Sequence, residues 1–169
     1  MFRGLVLSVL GVDPGKHTGL ALVELYHGAQ KKPEPTGLVP NHSLRFRFGA
    51  TVEEQDRATT IREFVVKGSD PGGQPLLVAA EKFTATRRTL QTQDTQALEA
   101  IGALKAVMEL LGAPQEALEL QLPSAAKTVV TDEKLRQMGL LDKTSKLDVH
   151  GRDALRHAVF RCVTYVRTP

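Results

Sequence analysis

A chain of 169 residues is long enough for one domain, here taken as 1–169, that buries roughly 70% of its unfolded surface. Its net charge of +3 and sequence pI of about 9.1 give a mild basic bias that permits a nucleic-acid partner. The single cysteine, Cys162, excludes an intramolecular disulfide and a cysteine-rich zinc site and fits a reducing cytosol, and no apolar run approaches the ~20 residues of a membrane span.

Residues 5–10 form a continuous apolar run that reads as a central strand. The first ten residues could pass for a short secretory leader. They lack a small-x-small cleavage site and run straight into Gly11-Val12-Asp13-Pro14-Gly15. The strand delivers Asp13 to its carboxyl end, the chain turns at Pro14-Gly15, and residues 18–24 read as a second strand running back. A carboxylate at the mouth of a core strand is costly unless paired or metal-bound. A divalent metal is the leading compensation; a turn-starting Asp-Pro-Gly is the bland alternative. Lys16 and His17 stand next to this carboxylate. The motif is not a phosphate-binding P-loop, because three residues separate Gly11 from Gly15 and His17 follows Lys16. Actin-like ATPases carry a similar turn but need two large domains.

Residues 27–40, rich in Lys, Pro and Gly, predict a long exposed hairpin loop, and 43–48 alternate as a half-exposed third strand. Thr51-Val52-Glu53-Glu54 has the pattern of a capping box and predicts a helix to about Lys67. Residues 76–80 form a second fully apolar strand that ends at Glu81. A polar segment over 82–93 precedes a helix over 94–111, whose Leu98, Ile101, Leu104, Met108 and Leu111 follow the helical period. A short strand over 118–122, a helix over 123–138, a polar loop over 143–149 and a last helix over 151–166 complete the chain. Cys162 lies in the apolar stripe of that last helix, where a buried structural thiol is expected. An antiparallel meander followed by strand–helix units predicts an α/β fold, a mixed five-stranded sheet with helices on both faces.

Two core strands thus end in a carboxylate, Asp13 and Glu81, and parallel crossover topology brings such ends together at the carboxyl edge of the sheet. His150, Asp153 and His157, spaced by three and four residues, share one face of the last helix. Alone, Asp153 could be a helix-start acid favoured by the macrodipole. Clustered carboxylates repel unless a cation sits among them, and Mg²⁺ prefers such oxygen ligands.

These residues resemble the RuvC family of Holliday-junction resolvases, in the RNase H-like superfamily. The matching pieces are Gly11-Val12-Asp13-Pro14-Gly15, Ala80-Glu81-Lys82-Phe83 and His150-Gly151-Arg152-Asp153-Ala154-Leu155, in family order and spacing over nearly the whole chain. Arg152-Asp153-Ala154-Leu155-Arg156-His157 looks more like the phage-borne branch. The resemblance implies an RNase H-like fold and a homodimeric, Mg²⁺-dependent endonuclease that cuts opposed strands of a four-way DNA junction by water attack. Mn²⁺ is expected to substitute, with two ions per site. Asp13, Glu81 and Asp153 match the family's metal-binding carboxylates, and His150 stands where the family usually has a fourth acid. Asp148 is an alternative fourth ligand, and His157 is expected to be a satisfied histidine beside the site.

Lys82, Arg87 and Arg88 follow Glu81, where a phosphate backbone would run, and Phe83 is placed either to stack on a base or to cover the core. Lys127 follows the fifth strand, where the family has a basic residue at the scissile phosphate; a solvated lysine is the alternative. The helix over 94–111 is part of the dimer interface by resemblance and core by its periodicity alone. A cytoplasmic location, in a bacterial cell or a phage-infected host, goes with this reading; a branch-migration motor is not specified. Two other readings stay open. One is an RNase H-like nuclease for flaps, hybrids or precursor RNA; the other is a catalytically inactive relative that binds branched DNA.

Overall fold

The structure, a computed structural model, describes residues 4–28, 35–69, 74–84, 95–143 and 146–168. Five strands form one sheet: β1 (Leu5–Asp13), β2 (Thr18–His27), β3 (His42–Val52), β4 (Leu76–Glu81) and β5 (Leu118–Gln121). Their order is β3-β2-β1-β4-β5. β1 pairs antiparallel with β2 and parallel with β4, and β4 pairs parallel with β5. The helices are α1 (Arg57–Gly68), α2 (Gln96–Leu110), α3 (Pro123–Val129), α4 (Asp132–Gln137), α5 (Leu140–Lys143) and α6 (Val149–Arg167).

Pleating sorts β1 onto two faces. Leu7 and Val9 join Ala21, Val23, Leu25 and the α6 residues Ala154, Leu155, Ala158 and Val159 in one core. Leu10 and Val12 join Leu20, Leu22, Ile61 and Phe64 of α1 and Leu104 and Met108 of α2 in the other. The predicted mixed sheet with helices on both faces is therefore what this sequence builds. Cys162 lies in the α6 core with no exposed surface, and burial pushes its thiol up to about 12. Among the described residues no helix is long and apolar enough to cross a membrane.

Four local expectations need correction. Thr51-Val52 do not open a helix: Thr51 pairs with Gly19 in the β2–β3 ladder and its hydroxyl donates to Asp148, so α1 begins only at Arg57, after a 3-10 turn. Two β-branched residues gain more from the ladder than from a cap. The helix expected over 123–138 is two helices, α3 and α4. The β-branched run Thr128-Val129-Val130-Thr131 disfavours continuity, and Thr131 caps α4 by accepting the Lys134 N–H. The loop expected over 27–40 is not wholly exposed, since Leu38 and Val39 are buried in the α6-side core. Finally, the last helix starts at Val149 rather than Gly151, because Asp148 caps it through the Gly151 N–H and gathers His150 into the first turn.

Candidate active site

The site rests on two glycines. A Cβ on Gly11 would lie 1.9 Å from the Ala154 carbonyl oxygen, and one on Gly19 would lie 2.1 Å from that of His150. Bare backbone on β1 and β2 thus lets α6 lie directly on the sheet. Pleating does the rest. Gly11 and Asp13 alternate onto the α6 face with Leu7 and Val9. Glu81 shares that face with Ala79 on β4, and Gln121 is its neighbour in the β4–β5 register. The first turns of α6 then carry His150, Asp153 and His157 over the same edge.

Each acid meets a basic partner there. Asp13 is 9% exposed, and its Oδ2 is 2.9 Å from His150 Nδ1. Asp153 is 8% exposed; its Oδ2 is 3.0 Å from Lys127 Nζ, and its Oδ1 accepts from Arg156, which also reaches Asp132. Glu81 Oε2 is 3.3 Å from Nε2 of the fully buried His157. His17 Nδ1 pairs with Glu53 at 2.8 Å, with its ring 5.8 Å from that of His150.

The electrostatics mark a concentration of negative charge. Burial pushes the Asp13 carboxyl from 3.8 up to about 6; the His150 hydrogen bond opposes this, and the charges of Glu81 and Asp153 add to it. The hydrogen bond to Asp153 raises Lys127, and the charges of Asp153, Glu81 and Asp13 reinforce the rise. Burial alone would raise Asp148, but the Gly151 N–H and the Thr51 hydroxyl outweigh it and hold the carboxyl below its ordinary value. Asp148 is therefore committed to capping α6 and to β3, while His150 is the residue that touches Asp13.

Three carboxylates and an imidazole, partly withdrawn from water and mutually repelling, suit a hard divalent cation in charge and chemistry. Their oxygens are turned toward the basic partners, and among the described residues no group of three or more His, Cys, Asp or Glu side chains is arranged to hold an ion. An open cavity of about 380 Å³ beside Asp153 is lined by Lys127, Thr131, Asp132, Val149 and Arg156.

Lys82 is exposed and Phe83 half-buried immediately after Glu81. Arg87 and Arg88 lie outside the described residues. One contributor gives no signal in the sequence. Arg57, 3% exposed, donates through Nε to Thr18 Oγ1 at 3.1 Å and through Nη2 to the Gly15 carbonyl at 2.9 Å and Gln96 at 3.2 Å. It clamps the turn after Asp13 to the start of α2.

No protein-family model matches the chain, and no curated protein sequence matches it. Solved structures do. One is Thermus thermophilus RuvC in complex with a Holliday-junction substrate, at 21% identity and a TM-score of 0.62 over 94% of each chain. The chain has a RuvC-like fold. A second Thermus thermophilus RuvC structure matches at 20% identity and a TM-score of 0.58, covering 94% of this chain and 95% of the other. The RuvC-like architecture is thus reached by a sequence about four-fifths different from these structures.

Proposed function

We propose that this chain, acting as one domain over 1–169, is a metal-dependent endonuclease that cuts four-way DNA junctions. The observation that carries the reading is the meeting of Asp13, Glu81 and Asp153, from β1, β4 and α6, at one edge of a RuvC-like sheet. Asp13, Glu81 and Asp153 would hold Mg²⁺ or Mn²⁺, with His150 as the fourth donor. When bound, the metal supplies an activated water and neutralises charge building on the phosphate.

The protein's own groups supply the rest. Lys127, paired with Asp153 at the edge of the site, would turn to a DNA phosphate if that carboxylate held the metal. Arg156 stays anchored by Asp132 and holds the α4–α6 junction beside the cavity. Lys82, Arg87 and Arg88 would follow the backbone, and Phe83 would meet a base at the open centre of the junction. A homodimer supplies the second cut, since two opposed strands need two sites related by a two-fold axis. Leu98 and Leu110 of α2, 51% and 85% exposed, leave apolar surface for a second copy.

The test is a substrate panel of labelled four-way junction, flap, RNA–DNA hybrid and plain duplex in Mg²⁺ and in Mn²⁺. The reading expects paired nicks in opposed strands of the junction and little cutting of the others. Preference for the hybrid or the flap would make this another RNase H-like nuclease. Junction binding without any cutting in either metal would make it an inactive binding relative.

A further inference from the structure

The buried His157 has a chain of partners that ends at Glu81. On β5, Gln121 is 4% exposed and donates through Nε2 to Glu119 Oε1 at 2.9 Å. Glu119 in turn accepts from Arg161 Nη1 at 2.8 Å through Oε2. Arg161 and His157 lie one turn apart on α6, so the chain closes between helix and strand. An ionised Glu119 accepts only, which fixes the Gln121 amide with its nitrogen toward Glu119 and its oxygen toward the imidazole. His157 Nδ1 lies 2.9 Å from that oxygen and its Nε2 lies 3.3 Å from Glu81 Oε2, so a polar partner at each nitrogen sets the orientation of the ring.

We propose that His157, oriented by Gln121, is a positioning residue that fixes the carboxylate of Glu81 for metal binding. The inference rests on the metal-site reading above and deepens it. A strand-end glutamate has three side-chain torsions to order, and its Cα register with Gln121 sets only the backbone. Committing Oε2 to His157 selects one orientation and leaves Oε1 as the free donor. Hydrogen-bond partners of ligating carboxylates and imidazoles act in this way, and their loss commonly costs roughly 10–100-fold in metal affinity. A fully buried histidine needs polar partners in any role; what the positioning role uses is that one of them is Glu81, so the contact made by Nε2 also holds that carboxylate.

The experiment uses the full chain. Mn²⁺ binding to the metal-free protein is measured by calorimetry without DNA, and junction affinity and kcat are measured separately. His157→Leu should weaken Mn²⁺ binding about tenfold or more and lower kcat, with junction affinity unchanged. His157→Gln, which retains a donor for Glu81, should recover most of the loss. Gln121→Leu, which keeps the imidazole but frees its orientation, should also weaken Mn²⁺ binding, and it carries the test if His157→Leu fails to fold. Wild-type Mn²⁺ affinity in a folded His157→Leu or in Gln121→Leu overturns the positioning role and leaves the metal site standing. A wild-type protein that binds no Mn²⁺ overturns the metal site and the positioning role together.

Discussion

Asp13→Asn should make the metal-free protein more stable at pH 7.5 while it stops cleavage. The Asp13 carboxyl is pushed from 3.8 to about 6, first by burial, with His150 opposing and Glu81 and Asp153 adding. Its side chain is 12% exposed, so solvent screens the cost little. An acid whose native value is raised binds its proton more tightly folded than unfolded. Its contribution is therefore most favourable below pH 3.8 and is lost as pH rises through about 6. At pH 7.5 the ionised carboxylate costs about 3 kcal/mol, at 1.36 kcal/mol for each unit. An amide of the same shape escapes that cost and still accepts a hydrogen bond from His150. In EDTA, Asp13→Asn should melt roughly 6–12 °C higher than the wild type, and the gap should close by pH 4. Adding Mg²⁺ should raise the wild-type midpoint more than the variant's, because the variant lacks one of the three carboxylates that would bind the ion. A variant less stable than wild type in EDTA at pH 7.5, or one that Mg²⁺ stabilises equally, would show that Asp13 is not a frustrated carboxylate waiting for a cation.

Gly19→Ala should cripple the site without touching any of its polar groups. The added Cβ would meet the His150 carbonyl oxygen at 2.1 Å, the His150 carbonyl carbon at 2.3 Å and the Gly151 nitrogen at 2.9 Å. All three are backbone atoms of the first turn of α6, so the helix itself must lift. Overpacking of this kind costs on the order of 1–3 kcal/mol or more. The functional loss should be larger than the stability loss, because the same shift carries His150 and Asp153 away from Asp13. A misplacement of about 1 Å can cost on the order of 100-fold in rate. Gly11→Ala should behave alike, with its Cβ 1.9 Å from the Ala154 carbonyl oxygen. Gly102→Ala is the control: nothing lies within 4 Å of that Cβ, and a helical alanine should be neutral or stabilising by about 1 kcal/mol. Melting curves and junction-cleavage rates for the three variants test this directly. A Gly19→Ala protein with the wild-type midpoint and rate would mean that α6 does not sit on bare strand backbone.

The sheet was readable in the sequence because burial leaves a mark on residue type. β1 and β4 are apolar on both faces, and each ends in an acid. The stripe of α6 is equally plain, interrupted only where His150, Asp153 and His157 turn to the sheet edge. What could not be read depends on contacts distant in sequence. Thr51 satisfies the pattern of a helix cap, and only its pairing with Gly19 makes it a strand residue. Nothing near Arg57 marks it as the buried clamp of the turn after Asp13. The glycines show in the sequence, but that Gly19 faces the His150 backbone is a fact of tertiary packing. The same holds for the partners of the acids. The helix spacing of His157 was visible, while its contact with Glu81 depends on how α6 lies across β4 and β5.

The account stands or falls on whether Asp13, Glu81 and Asp153 act together in metal-dependent cutting. The measurement is cleavage of an end-labelled four-way junction in Mg²⁺ by the wild type and by Asp13→Asn, Glu81→Gln and Asp153→Asn, with junction binding followed in parallel. The account predicts opposed nicks from the wild type, and from each variant a junction complex of near-normal affinity with no cleavage. Near-normal cutting by any one variant would remove that residue from the site, and no wild-type cutting in Mg²⁺ or Mn²⁺ would contradict the account as a whole.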